Sequence, residues 1–522
     1  MPPFDSGDKT VTTTTALNFY ARPTSLAQAF EQYWHAPDVQ DLLALTDGTR
    51  ALTYAELARN SGAVAAHLSG CGARPGHVIA ITMARSLDAV VLLLATIRAG
   101  LCPCVFEPKL APEEVSARLV ETHARFLVHD DENASLVSEL TIPEGTTTID
   151  FANLKEASYW PSVNVAANCP ALLLFTSGST GRPKIVQLTQ CALLNNALGV
   201  LEQSALSSDD RLLHVMPIYH TNGVNNQLFA PLLSGATVVF CPRFRADDMP
   251  ELMARFKPTI ITGVPTMYSR MLAQHFESDS LSKLRMARCG SAPITEALHR
   301  EVEAKFDCPL VISYGLSEAT CTSTLNPPQA RRVGSVGKVV PGQTVKLRAA
   351  DDTMTDTPNV EGEICIAGPN LMTGYLGAAD ATSSAVIDGW LRTGDLGRFD
   401  DEGYLYVTGR IKDVILRGGE NISPLLIESV IVADGNVTAC CVVGRADRDL
   451  GEVPVAFVVP KDLAAMDVER VQDAVRKRLS RIYVPHDVVF VESLPETAVG
   501  KVDRKVLAAR LANGFYDESK AT

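Results

Sequence analysis

Positive charge is in deficit: the chain carries 47 Lys and Arg against 60 Asp and Glu, a formal net charge of −13. Nonspecific nucleic-acid binding needs a basic face that displaces counterions, so this balance excludes it. Any anionic ligand must be held by local features. Uninterrupted apolar runs are also missing. The most apolar stretch, "AVVLLLATIRAGLCPCVF", is broken by Arg98 and Gly100 and reads as a buried helix turning into a strand, with no membrane span. The 12 cysteines show no zinc-like C-x2-C pair; Cys102 and Cys104 are two apart, and Cys440 and Cys441 are adjacent. They read as small buried hydrophobes in a reducing compartment, with metal binding as the alternative. "MPPFDSGDKTVTTTT" has no basic segment leading into an apolar core, so residues 1–24 read as a disordered lead and the protein as cytoplasmic.

What is present is an ordinary globular composition, 46% hydrophobic and 20% charged, over 522 residues. That length allows several domains with large cores. From Leu52 onward, helical periodicity alternates with short Val-, Ile- and Leu-rich runs bounded by Gly and Pro. This rhythm predicts βα units on buried, largely parallel sheets, and it repeats between 205 and 320. Between 332 and 408, Gly-punctuated short strands predict a small antiparallel β subdomain. A mixed α/β pattern then fills the last hundred or so residues, with a boundary at 410–413 in a charged segment suited to a hinge. The predicted class is therefore α/β: an N-terminal domain over 25–410, built of two α/β subdomains and a small β-barrel subdomain, and a mobile α+β C-terminal domain over 411–522.

Four segments carry chemistry. In "LLLFTSGSTGRPKIVQL" (172–188) an apolar strand opens into Thr176, Ser177, Gly178, Ser179, Thr180 and Gly181, and then Arg182, Pro183 and Lys184. Such density of backbone amides and hydroxyls suits a phosphate. The spacing is not that of the P-loop, which sets four residues between its first Gly and Gly-Lys-Ser/Thr, and a flexible surface loop is the competing reading. "VISYGLSEAT" (311–320) places Ser313, Tyr314, Gly315, Ser317 and Glu318 at the end of a strand, the ligand-binding edge of a parallel sheet. There Glu318 can hold magnesium, Ser317 can donate to phosphate and Tyr314 can stack on a base. The alternative is a helix start capped by Ser317. "GWLRTGDLGRFDDEGYLYVTGRIKD" (389–413) offers Asp395 for ribose hydroxyls and Arg410 for phosphate, or else a solvated hairpin with a surface ion pair. "LPETAVGKVDRKVL" (494–507) presents Lys501, which alone is indistinguishable from any surface lysine.

Together "TSGSTGRPK", "YGLSEAT", "RTGDLGRFDDEGYLYVTGR" and "GKVDR" resemble the signatures of the adenylate-forming enzymes, in the same order, over roughly residues 25–510. "PIYHTNG", "RCGSAPI", "GSVGKVVPG" and "RGGENISP" look most like the stand-alone acyl-CoA ligases, several of them like the oxalate and short-chain branch. The resemblance implies ATP-dependent conversion of a carboxylic acid to an acyl-adenylate and then to a CoA thioester, with ATP, Mg2+ and CoA required. It implies a phosphate grip by Thr176–Lys184, magnesium on Glu318, adenine between Tyr314 and Gly290, Ser291 and Ala292, and ribose on Asp395. Lys501 would act in adenylation and then leave by rotation about Lys412, bringing Gly418, Gly419 and Glu420 to CoA. Where some relatives carry a second Lys four residues beyond the hinge, this chain has Leu416.

An acid pocket is implied from His220, Asn222, Val224, Asn225, Gly290 and Gly315, within walls at 219–226, 263–268, 288–292 and 313–316. His220 reads as a gate to the CoA tunnel or as a packing residue. Asn222, Asn225 and Asn226 make one wall polar, pointing to a small or polar acid, unless they are spent in a loop network. Transfer to a carrier-protein phosphopantetheine, or a catalytically lapsed nucleotide-binding protein, are the competing functions. The chain gives no oligomeric state beyond monomer or homodimer.

Overall fold

The computed structural model describes residues 22–154, 164–176, 183–497 and 502–513. The first sheet is parallel throughout, in the order Cys102–Val105, Val78–Thr82, Phe126–His129, Thr147–Asp150. The apolar helix Leu87–Arg98 leads into it, capped by Ser86 and buried at every residue except Asp88. Its terminal Arg98 is paired inside the protein through two of its three nitrogens: Nη2 reaches Glu31 at 2.7 Å, and Nη1 reaches the Ala58 carbonyl and Ser61 Oγ, each at 2.6 Å. The membrane-like run is thus a core helix.

A nine-stranded sheet forms the second layer. Its parallel centre runs Leu310–Tyr314, Met286–Cys289, Ile260–Gly263, Arg211–His214, Thr237–Phe240, Leu43–Thr46. The 205–320 segment supplies all of these but the last, which comes from the N-terminal end and pairs with Thr237–Phe240. Alternate residues divide between two cores. Leu212, Ile260, Met286 and Val311 face one side, with Val224, Leu228 and Phe229 packed there. Leu213, Ile261, Ala287 and Leu310 face the other, toward Met253, Tyr268 and Phe306.

Strands Thr344–Arg348, Glu361–Ala367, Trp390–Phe399 and Leu405–Arg410 form the expected antiparallel sheet. A hairpin, Pro170–Thr176 with Lys184–Thr189, receives Gly374–Tyr375 as a third strand. The C-terminal sheet, built on Val437–Asp447 and Gly451–Pro460, has its own core of Ile415, Ile427, Val442, Val458, Val475 and Val488. Arg504, just after the GKVD segment, is fixed to Glu428 at 2.6 Å.

All twelve cysteines are free thiols, and only Cys71 is exposed. Among the described residues no group of three or more His, Cys, Asp or Glu is placed to hold a metal, and no helix is long and apolar enough to cross a membrane.

Candidate active site

The ends of the Gly/Ser loop are fixed by strand pairing: Thr176 stands opposite Lys184 in the hairpin. Ser177, Gly178, Ser179, Thr180 and Gly181 lie outside the described residues, as does Lys501 and most of the 1–24 lead. At the mouth of this hairpin three side chains converge. Lys184 Nζ sits 4.5 Å from the centre of the Tyr375 ring. Tyr375 Oη donates to Glu318 Oε1 at 2.8 Å. Burial first, and then the charge of Glu318, push the Tyr375 phenol well up, so it stays a protonated donor.

Tyr375 was invisible in the sequence as a site residue. It arrives by pairing with Val186 across nearly two hundred residues, and its one local signal is the preceding Gly374 at φ +149°. Ser317–Ala319 is a single 3-10 turn preceded by Leu316, so Ser317 is not the cap of a helix. Thr320 follows at φ +69°, ψ −55°, with Cys321 N donating to Ala319 O at 2.9 Å. This is a γ-turn on a β-branched residue, a conformation that costs about 1–3 kcal/mol. The bond from Thr320 Oγ1 to the Asn370 carbonyl, 2.6 Å, holds it in place.

Asp395 and Arg410 are register partners in the Trp390–Phe399/Leu405–Arg410 hairpin. Asp395 is buried, accepting from Tyr314 Oη at 2.8 Å on one oxygen and from Arg410 Nε on the other. Buried Asp395 thus links Tyr314 of one sheet to a half-exposed Arg410 of the other, where the competing reading had a solvated hairpin with a surface ion pair. Burial raises the Tyr314 phenol well above its ordinary range, and Asp395 adds to the effect. Lys412 follows in the turn Ile411–Asp413, its ammonium pKa lowered by burial and then by Arg410.

At the carboxyl edge of the nine-stranded sheet, glycine makes room. A Cβ on Gly290 would stand 2.7 Å from Ser313 Oγ, and one on Gly315 only 1.8 Å from the Cys321 carbonyl. Ser291 takes φ +69° between Gly290 and Ala292. The 219–226 wall is a π-helical segment, Asn222–Phe229, which sequence periodicity did not foretell; such wide turns concentrate at functional sites. Tyr219 and His220 precede it with their rings tilted against each other, centres 4.6 Å apart. Its asparagines answer the polar-wall expectation. Asn225 Nδ2 donates to Asn196 Oδ1 at 2.8 Å, and Asn226 Nδ2 donates to Asn222 Oδ1 at 3.1 Å and Thr322 Oγ1 at 2.9 Å. The Nδ2 groups of Asn225 and Asn226 are thus taken up in a network within the wall, while Asn225 Oδ1 stays buried without a partner among the described residues.

In the C-terminal sheet, Gly418 and Gly419, at φ +60° and +88°, form the two-residue turn joining Ile415–Arg417 to Glu420–Ile422. Left-handed geometry at both positions accounts for both glycines. Leu416 is exposed on this hairpin. The loop that carries Lys501 is closed by a bridge between Glu496 and Val502. It is tied to the helix Pro265–Leu272 through Arg270 and Glu496.

Residues 33–376 match the model of the AMP-binding enzyme family, and residues 426–501 that of the AMP-binding enzyme C-terminal domain; the chain belongs to this family. Among its relatives is an indoleacetate–CoA ligase of Aromatoleum aromaticum, 35% identical over 88% of this chain and 94% of that one. An oxalate–CoA ligase of Arabidopsis thaliana is 32% identical over 84% of this chain and 90% of that one. Among solved structures, ATP-bound MatB from Rhodopseudomonas palustris superposes with a TM-score of 0.87 at 29% identity, covering 94% of this chain and 99% of that chain. The protein is an AMP-forming acid–CoA ligase, using ATP, a carboxylic acid and CoA.

Proposed function

We propose that the candidate site residues divide the reaction as follows, the main support being the convergence of Lys184, Tyr375 and Glu318 at the mouth of the hairpin that bears the Gly/Ser loop. A carboxylate is a poor electrophile, and its mixed anhydride with AMP supplies the leaving group it lacks. Loop 176–184, with Lys184, grips the departing pyrophosphate. Glu318 suits magnesium: one carboxylate oxygen is held by Tyr375 and the other is available, and this ion typically binds one or two carboxylates plus phosphates. When bound, magnesium neutralises charge developing on the phosphates. Gly290–Ala292, Ser313 and Tyr314 bracket the adenine, while Gly315 and Ser317 approach the phosphates. Asp395 takes the ribose hydroxyls, and Arg410 a phosphate.

Lys501 stabilises the attacking carboxylate and the α-phosphate. It has no task once the adenylate exists. The 411–522 unit then turns about Lys412, bringing Gly418, Gly419 and Glu420 to CoA, with His220 at the junction of acid pocket and thiol tunnel. The cytoplasm is the proposed location, in keeping with twelve free thiols.

The test is a comparison of half-reactions. Lys501→Ala is expected to abolish acid-dependent pyrophosphate exchange while sparing thioester formation from supplied acyl-adenylate. Equal loss of both overturns the assignment.

A further inference from the structure

Arg288 lies in the middle of the nine-stranded sheet, on the strand Met286–Cys289, and is 2% exposed. Among the described residues its Nε and Nη1 have no hydrogen-bond partner, and it takes part in no ion pair. The groups felt by its charge are Cys321, Tyr268 and Arg285; no carboxylate is among them. Burial raises Cys321 to about 11, so that neighbour is a neutral thiol and no counter-ion. Burial also lowers Arg288 itself, but only to about 10, which leaves it a cation at neutral pH. A buried, uncompensated guanidinium costs several kcal/mol, and proteins otherwise pair such groups. The other interior arginine of this sheet region, Arg85, shows the usual solution. Its nitrogens reach the Cys241, Met216 and His214 carbonyls and His214 Nδ1, at 2.6 to 2.8 Å.

Position tells where the missing partner enters. Arg288 is in register with Thr262 on one side and Val311 on the other, so all three share a face. Thr262 Oγ1 is likewise buried without a partner. That face packs against the π-helical segment, where Asn225 Oδ1 and both amide atoms of Gln227 are also buried and unpartnered. Gly290, two residues further along the strand, opens the same face at the sheet edge, leaving Arg288 about 6–7 Å deeper. Where sheet and π-helical wall meet, a fixed positive charge and several unpaired polar atoms therefore face one another.

We propose that Arg288 selects the substrate by binding a second oxyanion, a carboxylate or sulfonate, at the far end of a short acid whose other carboxylate is adenylated. This rests on reading the 219–226 and 288–292 walls as the acid pocket. Thr262 Oγ1 lies beside the guanidinium to donate to the same group. An arginine fork matches an oxyanion with paired donors, which makes the choice steep.

Pyrophosphate release is measured with oxalate, malonate, succinate, glutarate and sulfoacetate, against acetate, propionate, butyrate, valerate and a set of aromatic monoacids. The wild type is expected to favour one dianion over its length-matched monoacid by about 100-fold or more in kcat/KM. Arg288→Met is expected to collapse that ratio by about 100-fold, and Arg288→Lys to retain part of it. Wild-type preference for monoacids, or an unchanged ratio in Arg288→Met, overturns the proposal and leaves the ligase reading standing. Failure of every acid to release pyrophosphate overturns both. Should Arg288→Met not fold, the wild-type profile and Arg288→Lys decide the matter.

Discussion

Arg270 Nη2 donates to both carboxylate oxygens of Glu496, at 3.0 and 2.9 Å, across 226 residues of sequence. It joins the helix Pro265–Leu272 of the large sheet to the loop that bears Lys501. Both side chains are partly exposed, 55% and 32%, so the bond contributes at most about 1 kcal/mol. A contact this weak can hold a unit in place yet release it within a turnover. Arg270→Glu is expected to slow acyl-adenylate formation several-fold and leave thioester formation from supplied adenylate unaltered. The charge swap Arg270→Glu with Glu496→Arg should restore much of the loss. Equal slowing of both half-reactions would count against the latch.

Tyr375→Phe removes the donor to Glu318 without changing the ring over Lys184. A hydrogen bond to a charged group contributes about 1.5–3 kcal/mol. Adenylation should fall by about 10-fold or more, and the magnesium concentration for half-maximal rate should rise. A variant with unaltered magnesium dependence would separate Tyr375 from the ion.

Asp395→Asn keeps the shape but removes the charge that Tyr314 and Arg410 share. The KM for ATP is expected to rise by about 10- to 100-fold, with a smaller change in the KM for the acid. Calorimetric titration with AMP reports the same loss without catalysis. Similar increases for ATP and acid would point to a damaged sheet junction.

Glu31 provides a pH test outside the site. Burial pushes its carboxyl up, but hydrogen bonds from His35 and Arg98 and the charge of Arg98 outweigh that and bring it from 4.5 to about 2. A carboxyl lowered by folding stabilises the native state fully above its unfolded value, and that stabilisation is lost as pH falls toward the folded one. Glu31→Gln should therefore destabilise the protein by about 2 kcal/mol at pH 7, because it strips a partner from the buried Arg98. The gap between the two proteins' unfolding curves should close between pH 4.5 and 2. A gap constant through that window would refute the linkage.

The order of motifs, the parallel rhythm of 205–320 and the antiparallel stretch before 410 were legible because each is written in neighbouring residues. What escaped is non-local. Leu43–Thr46 joins the large sheet only by pairing with Thr237–Phe240, far along the chain. Tyr375 has no motif of its own and gains meaning through Val186. Arg288 reads as an ordinary strand residue until its lack of partners is visible. The asparagines of 222–226 looked available because sequence does not reveal that Asn196 and Thr322 face them. The π-helical segment evades a search tuned to 3.6 residues per turn.

The placement of Arg288 on the face of one sheet, apart from Asp395 on a hairpin and Glu496 on the terminal unit, has an evolutionary consequence. Under the role proposed for Arg288, substitutions along that face would alter which acid is admitted while the nucleotide chemistry stays intact. A lineage built on this plan can diversify its diet one strand residue at a time.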